Sequence, residues 1–248
     1  MGGTTGRIEI LPDPLALAHH VAEWMTQAAL AAQGTFRVSL SGGSTPKTLY
    51  RLLASDEFRG RFPWQLASWY WGDERFVPYD HPESNFRMTR EAMLAKAPVP
   101  PENVHPIPTY GTPEDAARRY ERTLQEAYGA ATLDPRHPLF DLTLLGLGPD
   151  GHTASLLPGE PVLDERKRWM AAVSHGRPEV RITMTYPVIE SSRRIAFLAA
   201  GKEKAAIFSA IRAGNSQVPA ARVQPVGELF WFVDQAAAGE GQVRGRAQ

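Results

Sequence analysis

Cysteine is absent from all 248 residues. Disulfides, thiol nucleophiles and cysteine-ligated metals are therefore excluded. Neither sign of charge is in excess: 27 Lys+Arg stand against 27 Asp+Glu, a formal net charge of +0. A chain that binds nucleic acid normally carries a basic surplus, so no nucleic-acid partner is expected. No apolar run approaches the ~18 residues of a membrane-spanning helix. The opening MGGTTGRIEI lacks the apolar centre of a secretory signal. The expectation is a soluble cytoplasmic protein with no membrane partner. Hydrophobic residues at 43% and charged residues at 22% suit an ordinary globular core. Familiar chemical signatures are missing as well. No HExxH or other metal-ligand spacing occurs, and His19 and His20 are adjacent, so they point apart on a helix. No GxSxG nucleophile elbow is found either. No metal and no cofactor is expected.

Short, continuous apolar runs are present: FRVSL (36–40), LASWYW (66–71), FDLTLLGL (140–147), RWMAAV (168–173), RIAFLAA (194–200) and LFWFVD (229–234). They read as strands covered on both faces. Helical spacing separates them, at 14–33 with Gly34 as a stop, at 46–54 from Pro46, at about 84–95, at 113–128 behind Thr112 as N-cap, and at 202–213. Alternating strands and helices predict an α/β fold: a mostly parallel, doubly wound sheet with helices on both faces. Nothing divides the chain, so residues 1–248 are read as a single domain. The Pro-rich piece at 97–108 is a rigid connection, and the Gly-rich stretch 235–248 is expected to be a mobile tail.

In such sheets ligands bind beyond the carboxyl ends of the strands, and four segments sit there. In VSLSGGSTPK, Ser41, Gly42 and Gly43 lead a strand into a helix whose first N–H groups suit an anion. The spacing is not that of a Walker loop. In WGDER, Asp73, Glu74 and Arg75 offer carboxylate and guanidinium, while His81, a little further on, reads as a surface residue. In LGLGPDGHTAS, His152 stands on a mount that includes Gly148, Pro149 and Gly151, beside Asp150. Residues 153–155 read as the possible start of a helix. Histidine is the usual general base near neutral pH, and the other six histidines lack such a setting. In the last segment Lys202 follows Gly201 directly after a strand, where it can pair with a phosphate, and Arg181 assists if its segment borders the cleft. Lys204 reads as solvated. These groups together describe a metal-free enzyme that binds a small phosphorylated substrate and moves protons.

SLSGGSTP, WGDERFVP with SNFRM, LGLGPDGHTASLLP, RITMTYPVI and GKEKA, in that order over roughly residues 38–206, resemble the 6-phosphogluconolactonase family. The resemblance implies hydrolysis of 6-phospho-D-glucono-1,5-lactone in the oxidative pentose phosphate pathway. It also implies a Rossmann-like variant fold shared with sugar-phosphate isomerases and deaminases. Carried onto this sequence, it makes His152 the general base and puts Asp73 with it at the catalytic centre. Ser41, Gly42, Gly43, Arg75 and Gly151 line the substrate, and Arg181 and Lys202 hold the phosphate. Either Asp73 or Asp150 orients the imidazole or holds a sugar hydroxyl. The partner is a phosphorylated sugar lactone, and the protein a monomer or small homo-oligomer. A deaminase of amino-sugar phosphates is disfavoured, because the first acid after His152 is Glu160, beyond a Pro-Gly turn. A non-catalytic sugar-phosphate sensor has no room for a DNA-binding module before residue 36.

Overall fold

The apolar runs pair as a sheet wherever they are buried on both faces. This computed structural model describes residues 6–174, 178–214 and 216–239. Among them are nine strands: β1 (Arg7–Leu11), β2 (Phe36–Leu40), β3 (Ala67–Trp71), β4 (Asp73–Arg75), β5 (Leu142–Gly146), β6 (Met170–Val173), β7 (Arg181–Met184), β8 (Arg194–Ala199) and β9 (Glu228–Asp234). Six form a parallel sheet in the order β1-β9-β8-β5-β2-β3. Every residue of β3 is buried, and all of β9 except Glu228. The helices are α1 (Pro14–Leu30), α2 (Ser44–Leu53), α3 (Asp56–Arg59), α4 (Asn85–Thr89), α5 (Pro113–Tyr128), α6 (Tyr186–Glu190), α7 (Ala205–Arg212) and α8 (Gln235–Ala238). None is long and apolar enough to cross a membrane.

The ends of the longest helices follow from local chemistry. Asp13 caps α1, its Oδ1 accepting from the N–H groups of Leu15 and Ala16 at 2.9 and 2.8 Å, with Pro14 at the first turn. Thr112 does the same for α5, accepting from Asp115 N–H at 3.1 Å. That helix ends on Gly129 at φ 85°.

Strand order fixes where a ligand can sit. From β2 the chain moves outward to β3, whereas from β5 it moves the other way, to β8 and β9. Neighbouring crossovers therefore diverge between β2 and β5, which opens a crevice beyond their carboxyl ends. The mostly parallel α/β class is as expected, with one addition. β4, β7 and β6 form a separate antiparallel sheet, so the run at 168–173 pairs there and not in the main sheet.

Other departures are local. The second helix starts at Ser44, two residues before Pro46. The expected helix at 84–95 is α4 followed by a wider turn over Arg90–Leu94. Residues 153–155 begin no helix, because Thr153 bridges to Leu156 and Ala154 sits at φ 48°. The stretch 235–248 does not start as a tail. Gln235–Ala238 is α8, Asp234 Oδ1 accepts from Ala237 N–H at 2.7 Å, and Ala237 and Ala238 are buried. Residues 240–248 lie outside the described residues.

Glu74 shows how the small sheet is tied down. Its buried carboxylate accepts from the N–H groups of Arg75, Asn85 and Phe86, each at 2.8 Å, and from Ser84 Oγ at 3.1 Å. Burial pushes its carboxyl above the ordinary value, although the three backbone donors pull it back. Glu74→Gln replaces one acceptor oxygen with an NH2 that must face a donor. A buried mismatch of this kind costs about 2–4 kcal/mol. For a chain of this size that is a fall in melting temperature of roughly 5–15 °C. Thermal denaturation of the variant checks it.

Candidate active site

A cleft of about 200 Å³ opens beyond the ends of β2, β5 and β8, with the small sheet as its side wall. Its floor is the turn after β2. Ser41 is clamped by Tyr50: Ser41 N–H donates to the phenol oxygen at 3.0 Å, and the phenol donates to Ser41 O at 2.7 Å. Burial raises the Tyr50 pKa far above the usual phenol value, so the proton needed for the second bond stays in place. At Gly42 an added Cβ would lie 2.1 Å from Asn85 Oδ1, which leaves no space for a side chain. Gly43 takes φ 103° and ends the turn as the N-cap of α2, with no side chain capping that helix. The first N–H groups of α2 have no intrahelical partner and border the cleft, an arrangement that suits an anion.

The side wall follows from strand alternation. Successive side chains of β4 point to opposite faces, so Asp73 and Arg75 line the cleft while Glu74 turns into its buried hydrogen-bond set. Asp73 is buried; its Oδ2 accepts from Ser155 Oγ at 2.6 Å, and its backbone O from Asn85 Nδ2 at 3.0 Å. Arg75 is the register partner of Arg181 across β4 and β7. Like charges directly opposite are destabilising, and here each has an acid. Arg75 donates to Glu83 O at 2.6 Å and lies 3.5 Å from its carboxylate. Arg181 Nε donates to Glu179 at 3.0 Å. For Glu179, burial acts to raise the pKa, but the Arg181 hydrogen bond and the charges of Arg181 and Arg75 hold it below the ordinary value. Arg75 Nε is buried without a hydrogen-bond partner.

The imidazole is mounted at the end of β5. Gly148 N–H donates to His152 O at 2.8 Å, and Gly151 N–H to Gly148 O at 2.9 Å, closing a tight turn. A Cβ on Gly148 would fall 2.1 Å from His152 Nδ1. Asp150 Oδ1 lies 2.5 Å from Nδ1 and accepts from His152 N–H at 3.2 Å. Burial works to raise the Asp150 pKa, but the His152 hydrogen bonds outweigh it and hold the carboxyl low. A carboxylate at Nδ1 places the ring proton there and leaves Nε2 as the basic nitrogen. The ring is 21% exposed and lines the cleft. Beyond it, Ser155 N–H donates to Thr183 Oγ1 at 3.2 Å, which ties the loop to the small sheet. The left-handed backbone of Ala154 is local strain held between these anchors.

Ser41, Gly42, Gly43, Asp73, Arg75, His152 and Arg181 all border this one cleft. Two expected residues do not. Gly151, at φ 81°, faces away: a Cβ there would lie 2.4 Å from Val218, and its O accepts from Ala220 N–H at 2.9 Å. It braces the histidine loop from behind, and Gly148 takes the lining position. Lys202 is exposed and outside the lining, whereas Lys204 borders the cleft with its side chain 18% exposed, 3.8 Å from Glu203. The reason is the turn itself. Gly201 N–H is held by the Asp234 carboxylate at 3.1 and 3.2 Å, and residues 202–204 coil into a 3₁₀ turn. Side chains two apart on such a turn point to different sides, so only one lysine faces inward. Asn85, read as part of a loop and cap, also lines the cleft. Its signal was SNFR at 84–87, following GDER at 72–75.

Residues 12–231 match the family model described as glucosamine-6-phosphate isomerases/6-phosphogluconolactonase. A protein of Synechocystis named 6-phosphogluconolactonase is 43% identical over 214 residues, covering 84% of this chain and 86% of the relative. Its namesake in Nostoc is 38% identical over 240 residues, covering 94% and 97%. The crystal structure of 6-phosphogluconolactonase from Thermotoga maritima superposes with a TM-score of 0.79 at 31% identity, covering 92% of this chain and 99% of that one.

Proposed function

The chain belongs to the glucosamine-6-phosphate isomerase and 6-phosphogluconolactonase family, and on that premise we propose that it hydrolyses 6-phospho-D-glucono-1,5-lactone to 6-phospho-D-gluconate in the oxidative pentose phosphate pathway. One observation carries the reading: an imidazole backed by a carboxylate at Nδ1 borders the same cleft as Arg75, Arg181 and Lys204. The three cations hold the phosphate. His152 Nε2 takes a proton from water as the water oxygen bonds to the lactone carbonyl carbon. The carbonyl oxygen becomes an oxyanion, for which the N–H groups at the start of α2 are the donors. The tetrahedral intermediate collapses, the bond from C1 to the ring oxygen breaks, and the imidazolium returns its proton to that oxygen. The new carboxylic acid then ionises. Asp150 orients the ring, and Asp73, whose Oδ2 is held by Ser155, accepts a hydrogen bond from the sugar. No step needs a metal, and three cations around one cleft favour an anion over a divalent cation.

Deamination of an amino-sugar phosphate is the alternative within the same family. Glu160, the first acid after the histidine, is not among the residues lining the cleft, which disfavours it. The test is an assay at controlled pH on freshly generated 6-phosphogluconolactone, with spontaneous hydrolysis subtracted, alongside glucosamine 6-phosphate. Lactone hydrolysis far above background without ammonia release is expected. Ammonia release without lactonase activity overturns the reading.

A further inference from the structure

The cleft is rich in donors. Arg75, Arg181, Lys204 and the first N–H groups of α2 all offer hydrogens and suit a phosphate or an oxyanion. A gluconolactone ring also brings three hydroxyls, which are donors themselves and need acceptors. Among the described side chains that border the cleft, carboxylate and amide oxygens come only from Asp73 and Asn85. One oxygen of Asp73 is already engaged by Ser155.

Asn85 is fixed at three points. Its N–H donates to Glu74 Oε1 at 2.8 Å, its O accepts from Thr89 Oγ1 at 2.9 Å, and its Nδ2 donates to Asp73 O at 3.0 Å. The residue is 4% exposed. With Nδ2 committed to Asp73, the amide is turned so that Oδ1 lies over Gly42, at the floor of the cleft. Among the described residues none donates a hydrogen bond to that oxygen. An oriented acceptor on a nearly buried side chain, bordering a cleft of donors, points to a ligand hydroxyl.

We propose that Asn85 Oδ1 accepts a hydrogen bond from one hydroxyl of the sugar ring, making Asn85 a specificity-determining residue of this site. The inference rests on the lactonase reading above. It gives Glu74 a second consequence, since the carboxylate that ties down the small sheet also holds the Asn85 backbone.

The experiment compares 6-phosphogluconolactone with the three phospholactones lacking the C2, C3 or C4 hydroxyl, on the wild type, Asn85→Ala and Asn85→Asp. A site that hydrogen-bonds a hydroxyl rejects the analogue lacking it, because its polar group is left unpaired. The wild type is expected to lose ~10-fold or more in kcat/KM on one deoxy substrate. Asn85→Ala is expected to treat that substrate and the parent nearly alike, while Asn85→Asp, which keeps an acceptor, still discriminates. A residue that only shaped the joint between Asp73 and Gly42 would lower kcat on all four lactones by one factor, and that result overturns the proposal. So does a wild type that turns over all three deoxy lactones as well as the parent, whatever the variants do. Failure of the wild type on the parent lactone removes the proposed function itself, a separate outcome.

Discussion

His152→Ala is expected to lower kcat by ~10²–10⁴-fold, the usual contribution of a general base, while KM changes little. The split follows from the geometry. The groups proposed to hold the phosphate lie on β4, β7 and the turn after β8, and among the hydrogen bonds and ion pairs of the described residues none of them contacts the imidazole. Removing the ring leaves those cations and the start of α2 in place. Substrate binding survives while the step that needs a proton acceptor does not. Asp150→Asn is expected to act in the same direction with a smaller loss. An amide at that position can still meet Nδ1 but no longer stabilises the imidazolium formed when Nε2 takes its proton. Initial rates on the phospholactone, corrected for spontaneous hydrolysis, measure both. A His152→Ala enzyme that retained the wild-type rate would remove the general-base assignment, and a rise in KM with unchanged kcat would recast His152 as a binding residue.

The parts of the fold that were readable in the sequence are those where short-range chemistry decides. FRVSL coincides with β2, and the Thr112-Pro113 start with Gly129 behind it delimits α5, because caps and apolar runs act locally. The small antiparallel sheet was not readable. β4 is three residues of Asp, Glu and Arg, a composition that reads as solvated loop. It becomes a strand only because β7 pairs with it and Glu74 finds donors at Ser84, Asn85 and Phe86, beyond the loop that follows it. The turn after β5 is instructive in another way. Gly146, Gly148 and Gly151 have the spacing of a dinucleotide-binding fingerprint, which requires a helix to follow. Here Thr153 bridges Leu156 instead, and the helix N-terminus in the cleft belongs to α2. Letters placed His152 at a strand end. The contact of Nδ1 with Asp150 rather than Asp73 depends on how the turn closes, and spacing alone left both carboxylates open.

The largest effect on binding is expected from Lys204. A charge-assisted hydrogen bond is worth about 1.5–3 kcal/mol, so Lys204→Ala should lower kcat/KM on the phospholactone by ~10–100-fold. On unphosphorylated gluconolactone, which gives the ammonium nothing to hold, the same variant should match the wild type. Lys202→Ala is expected to stay within about twofold on both, since an exposed side chain outside the cleft contributes little. The contrast isolates the turn geometry, because the two lysines differ neither in chemistry nor in distance from the end of β8 by more than two residues. It also bears on the acids at the rim. Glu83, Glu179 and Glu203 each stand beside one of the three cations, and a phosphate must compete with them for the same donors. A bound dianion prevails by engaging three cations at once, which no single carboxylate does. A monoanionic ligand lacks that advantage, so discrimination against it should fall when Lys204 is removed. If Lys202→Ala proved the damaging change, the 3₁₀ turn would have to present the other face, and the phosphate would have to lie outside the cleft that His152 borders.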